Sequence, residues 1–147
     1  MQIAAASVNA YVLGEHGDHQ FVAWSMARVG GLPINQAFPQ DELNYSELAD
    51  QCKHEGQHIT EAKGAIVFGI ASIISTICFA ILFNTGEIHP VSHLQPNFGC
   101  SLSLPAVLGR KGAMKTMSMS LNNEERAKLE ESAKVVQEMV SSLKGDD

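Results

Sequence analysis

Apolar positions change period along this chain, and each change marks an element. Residues 8–13, "VNAYVL", form a short apolar run that stops at Gly14, the pattern of a buried strand. Residues 14–19 then read as a loop. "QFVAWSMARV" at 20–29 is rich in aromatic and β-branched residues and fits a strand or irregular structure. "GGLP" at 30–33 is a turn signal, and 34–43, with Pro39, reads as loop. A helix is predicted from Tyr45 to Gln57, with Asn44 as its cap and Glu47 completing a capping box. Gly56 and Gly64 mark breaks or bends.

A long apolar helix follows over 65–83 and stops at the "NTG" of 84–86. Three strand-like pieces come next: 88–94, 101–108 and 113–119. "GRKG" at 109–112 joins the last two as a hairpin turn. Pro105 places its strand at an edge or a bulge. The final helix starts at Asn122, whose box partner is Glu125, and ends at Gly145. Leu129, Ala133, Val136, Val140 and Leu143 form its apolar face. Strands, helices, strands, helix: the order predicts an α+β fold, with antiparallel strands packed on long helices and residues 1–147 forming one domain.

Composition narrows the function classes. The chain has 147 residues, 45% of them hydrophobic, and a net charge of −6. That acidity, without any Lys/Arg cluster, argues against nucleic-acid binding. Cys52, Cys78 and Cys100 are widely spaced and odd in number, which fits free thiols in a reducing cytoplasm rather than a disulfide framework. The start of the chain lacks the cationic segment of a signal peptide. Residues 65–83 carry no charged side chain and approach the ~20 residues that span a bilayer. Yet Gly69, Ser72, Thr76 and Ala80 recur at helical spacing, a small stripe suited to tight packing on a sheet or a partner subunit. No second span and no basic flank accompany it, so no membrane partner is expected.

The candidate chemistry lies in "GEHGDH" at 14–19. One reading makes His16, Asp18 and His19 metal ligands. A second makes His16 a general acid/base, since an imidazole titrates near neutrality, at ~6.5. The bland reading is a surface or hydrogen-bonded histidine, one of six. Elsewhere "HEGQH" matches H-E-x-x-H, in which His54 and His58 would bind zinc and Glu55 would act as base of a zinc hydrolase. The glycine inside that motif weakens the helix it needs.

Several stretches together resemble one family. "AYVLGEHGD…FVAWSMARVGGLPI", "EAKGAIVFGIA", "SLSLPAVLGRKG" and "LNNEERAKLEESAKVV" are similar, in order and over nearly the whole chain, to the C-terminal substrate domain of the NAD-dependent L-lactate/malate dehydrogenases. The lactate and 2-hydroxyisocaproate branch resembles it most. The resemblance implies reversible hydride transfer between NADH and a small 2-oxo acid, with His16 as the proton donor and acceptor. It implies Asp18, Ser25 and Ile66 around the substrate pocket, and a homo-oligomer. It also makes the zinc match an accident.

The departures are specific. No G-x-G-x-x-G run is present, so the chain is expected to lack the dinucleotide-binding domain and to hold no cofactor tightly. The family's "D-x-A-R" segment, which orients the histidine and clamps the substrate carboxylate, would lie before Met1. Arg28 and Arg110 match neither family arginine. The stretch from Met1 to Tyr11 is short against the family pattern. Ile66 stands where relatives carry a threonine, and Asn9 where fructose-bisphosphate-regulated relatives carry a histidine. The isolated chain is therefore expected to be inactive, with a nucleotide-binding half as its missing partner; the other reading is an oligomerisation module without catalysis.

Overall fold

A computed structural model describes residues 3–39 and 43–144. In chain order the elements are β1 (Val8–Asn9), β2 (Val12–Leu13), β3 (Phe21–Val22), β4 (Arg28–Val29), β5 (Leu32–Pro33), α1 (Ile34–Ala37), α2 (Tyr45–Lys63), α3 (Val67–Leu82), β6 (Ile88–Gln95), β7 (Cys100–Gly109), β8 (Gly112–Thr116) and α4 (Asn123–Lys144). Single turns of 3-10 helix occupy 5–7 and 24–26. All three sheets are antiparallel: β1-β4-β5, β2-β3 and β6-β7-β8. The fold is α+β, as the element order predicts.

The apolar run at 8–13 is two strands, not one. Val8 and Asn9 pair with Val29 and Arg28, whereas Val12 and Leu13 pair with Val22 and Phe21. The chain thus leaves one sheet and enters another within two residues. Residues 20–29 split the same way, around the 3-10 turn. Gly30 and Gly31 make the turn between β4 and β5 at φ +56° and +87°. The stretch read as loop contains the short helix α1, and its residues 40–42 lie outside the described residues.

Helix α2 runs six residues beyond the predicted Gln57 and passes through Gly56. A helical glycine costs about 1 kcal/mol against alanine. Two well-formed ends offset that cost. Asn44 Oδ1 accepts the Glu47 N–H at 3.2 Å, and Gly64 closes the helix at φ +80°. Pro105 sits on the central strand rather than at an edge, and the geometry explains it. Ser103 donates its N–H to Gly14 O, away from β6, so Pro105 two residues on also turns its nitrogen from β6. On the β8 side Pro105 O accepts the Met117 N–H at 2.8 Å, but proline cannot return that bond, and the β7–β8 pairing ends there, with Ala106 opposite Thr116.

Both α3 and α4 pack on β7. The main core joins Leu13, Phe21 and Ala23 to Cys100, Leu102 and Leu104, with Leu129 and Ala133 from α4. Cys100 Sγ donates to Ala133 O, and burial pushes its thiol pKa up, while Cys52 and Cys78 are exposed. The apolar face of α4 is buried only over its first half. Val140 and Leu143 extend past the core, 44% and 80% exposed, and Gly145 lies outside the described residues. α3 is more extreme: Ala80 is buried, but Phe68 is 91% and Leu82 71% exposed. Among the described residues no helix is long and apolar enough to cross a membrane.

The start of α4 is also a tie between distant parts of the chain. Asn122 Oδ1 accepts the Glu125 N–H at 2.8 Å, and Glu125 Oε2 accepts the Asn122 N–H at 3.1 Å. The same buried carboxylate accepts the Ser25 N–H at 2.9 Å and the Ser25 hydroxyl. Glu125→Ala should leave two backbone donors and a hydroxyl without their acceptor, costing about 2–3 kcal/mol in urea denaturation. Glu125→Gln, which can still accept, should cost less.

Candidate active site

The histidine loop spans Gly14 to Gln20 between β2 and β3 and is fastened at its entry. Gly14 has φ +99°, and an added Cβ there would lie 2.8 Å from Ser132 Oγ and 3.0 Å from His19 O. Only glycine meets both conditions without strain. Gly14 O accepts the Ser103 N–H of β7 at 3.2 Å, and the Glu15 N–H donates to Ser132 Oγ of α4 at 2.6 Å. The chain then turns back on itself. Gly17 N–H donates to Glu15 O, and Glu15 Oε1 accepts the His19 N–H at 2.8 Å.

His16 is exposed between these fastenings. Among the described residues, no side-chain hydrogen bond or ion pair engages its ring. The Glu15 carboxylate, its sequence neighbour, turns instead to His19, whose Nδ1 is 3.4 Å from Oε1. His16 thus stands between fastened neighbours, Glu15 and Gly17, with its imidazole exposed.

The other predicted residues occupy distinct places. Asp18 is beside His16 in the same loop, with its carboxylate 3.2 Å from Lys53 Nζ of α2. Lys53 also donates to Asp18 O at 2.9 Å, a link from α2 to the loop that sequence spacing does not announce. Ser25 is turned to Glu125 and to Ser120 O, so its hydroxyl is engaged in tying the fold. Ile66 caps α3 and, with Val67, Ile70, Ala71 and Ile74, lines an open apolar concavity of about 410 Å³. A second cleft, about 370 Å³, lies on the far side of the loop against α2; Asp18, His19, Trp24 and Lys53 line it, but His16, Ser25 and Ile66 do not. Arg28 donates to the carbonyls of Ser25 and Ala27, and Arg110 is an exposed turn residue.

The metal readings gather no ligand set. Among the described residues, no group of three His, Cys, Asp or Glu side chains is placed to hold an ion. His19 pairs with Glu15 instead. In α2, His54 Nδ1 lies 2.9 Å from Asp50 O, and His58 faces Glu55 at 4.0 Å. H-E-x-x-H is thus an exposed stretch of continuous helix without a third ligand.

Sequence reasoning passed over Ser132. Its signal was a serine inside a stripe with Leu129, Ala133 and Val136, a polar group at a core position that must find a partner.

The chain has relatives of known family and fold. Residues 1–144 match the model of the lactate/malate dehydrogenase alpha/beta C-terminal domain. The L-lactate dehydrogenase of Chloroherpeton thalassium is 38% identical over 141 residues, which are 92% of this chain and 46% of that protein. That of Bacillus velezensis is 35% identical over 94% of this chain and 46% of its own. Among solved structures, a lactate dehydrogenase from a Medee basin deep-sea metagenome library superposes with a TM-score of 0.86 at 32% identity, covering 92% of this chain and 46% of that one. The malate dehydrogenase from Aeropyrum pernix gives 0.83 at 29%, covering 95% and 48%. The chain spans about half the length of the curated relatives it matches.

Proposed function

The chain belongs to the lactate/malate dehydrogenase family through its C-terminal domain, and on that premise we propose that it serves as the substrate-binding and proton-transfer half of an L-2-hydroxy acid dehydrogenase. The observation that carries this reading is His16: exposed, unengaged at its ring, and presented by a loop tied to α4 and β7. In the reductive direction His16 gives a proton to the carbonyl oxygen of a small 2-oxo acid. In the oxidative direction it takes the hydroxyl proton back. Asp18 adds negative charge beside it, balanced by Lys53. By the family resemblance alone, Ile66 replaces a pocket threonine with an apolar wall, which favours a 2-oxo acid with an apolar side chain.

The residues present do not fit a dinucleotide by themselves. The sequence holds no glycine-rich phosphate loop, and Arg28, committed to two carbonyls, is not a substrate clamp. NAD and the carboxylate-binding arginine therefore belong to a nucleotide-binding half outside these 147 residues. The test is reconstitution. The chain alone should not oxidise NADH with pyruvate or 2-oxoisocaproate. Mixed with the separately expressed nucleotide-binding half of a relative, it should do so. Failure at every ratio, with the two halves bound to each other, would leave the oligomerisation-module reading in its place.

The surface of α3 supports association in the working protein, as a homo-oligomer of paired halves. Val67, Phe68, Ile70, Ile73, Ile74 and Leu82 stand exposed on this one helix, and apolar surface grouped in this way marks an interaction site. Sedimentation at micromolar concentration should give a mass above 15.8 kDa, and Phe68→Glu with Leu82→Glu should move it toward that value. Neither side chain is buried within the chain, so the far-ultraviolet circular dichroism of the double variant should match that of the parent.

A further inference from the structure

We propose that Ser132 is a positioning residue for His16, acting through the Glu15 N–H that its buried hydroxyl accepts. The inference rests on the acid/base reading of His16 and deepens it. Ser132 is fully buried in α4, between core residues Leu129 and Ala133. Its Oγ receives the Glu15 N–H at 2.6 Å across 117 residues of sequence. The peptide so fixed joins Gly14 to Glu15, one residue ahead of His16. On its other side Gly14 packs so closely that a Cβ would meet the same oxygen at 2.8 Å. The hydroxyl therefore determines both the height of the loop above the core and the direction of its first peptide.

The remaining fastenings do not substitute for it. Gly14 O is held by β7, but that bond fixes the strand end before the loop. Glu15 Oε1 closes the loop onto His19 but ties the loop only to itself. Lys53 reaches Asp18 from α2, beyond the histidine. Ser132 is thus the link between the rigid core and the two bonds of backbone rotation that aim the imidazole.

A serine that merely satisfied a buried donor would affect stability everywhere alike. A positioning serine affects the loop and the histidine selectively. The test compares the chain with Ser132→Ala, and with Ser132→Cys, which keeps the volume but accepts weakly. In Ser132→Ala the amides of residues 15–20 should exchange about tenfold faster, while those of β7 keep their rates. The His16 ring resonance, single in the parent chain, should broaden or split. With a nucleotide-binding half present, kcat should fall about tenfold at unchanged KM, and Ser132→Cys should fall between. Equal acceleration of loop and core amides, an unaltered His16 signal, or undiminished kcat would each overturn the proposal. If Ser132→Ala does not fold, the same readouts on Ser132→Cys decide. The acid/base reading fails separately, if His16→Gln retains turnover; the exchange and resonance measurements do not depend on it.

Discussion

Replacing His16 with glutamine in the reconstituted enzyme should lower turnover by about 10³-fold and leave the melting temperature unchanged. Both halves of this expectation follow from the same placement. The imidazole is exposed and makes no side-chain bond within the described residues, so its loss removes no packing and orphans no partner. Glutamine keeps much of the volume and a donor, so an oxo acid can still be bound and oriented. It cannot donate and recover a proton near neutral pH. The loss should therefore fall on kcat, with KM little changed. An exposed histidine without a chemical role would show neither effect. A structural histidine would show the thermal effect without the kinetic one. His19→Gln is the internal control. Its ring contacts Glu15 at 3.4 Å, so it should perturb the loop modestly and retain most activity.

What the sequence disclosed about this site divides by distance along the chain. The Asn122–Glu125 box spans three residues, and such a motif can be read wherever it occurs. The second use of the Glu125 carboxylate, on Ser25, crosses 100 residues and has no local signature. The same division explains the strands. "VNAYVL" reads as one apolar run because periodicity reports burial, not partners, and its two ends pair with different strands. Gly56 and Pro105 look like breaks because propensity is local. One is carried by the caps of a 19-residue helix, the other by a register that turns its nitrogen from β6 and lets the β8 pairing end beside it. The apolar stretch 65–83 shows the opposite case. Its uniform hydrophobicity was visible, but not that most of it stays uncovered, because hydropathy does not say which faces other elements reach.

The loop's entry is where local and distant constraints meet, and Gly14→Ala should be the most destabilising single-methyl change in the molecule, at about 4 kcal/mol. Two costs add. At φ +99° any L side chain is strained, by roughly 1–2 kcal/mol. The new methyl would also lie 2.8 Å from Ser132 Oγ and 3.0 Å from His19 O. One of these is a fully buried helix side chain and the other is backbone, so neither yields cheaply, and crowding of this kind costs about 1–3 kcal/mol. For a chain of 147 residues the sum corresponds to a fall in melting temperature of about 10 °C. Gly30→Ala separates the two costs. Gly30 has φ +56°, and nothing lies within 4 Å of its added Cβ. It should show the backbone strain alone, about 1 kcal/mol. Equal losses at both positions would mean that Gly14 does not bear on Ser132. A large loss at Gly14, small at Gly30 and relieved when Gly14→Ala is combined with Ser132→Gly, would identify the contact between α4 and the histidine loop as the joint on which the presentation of His16 depends.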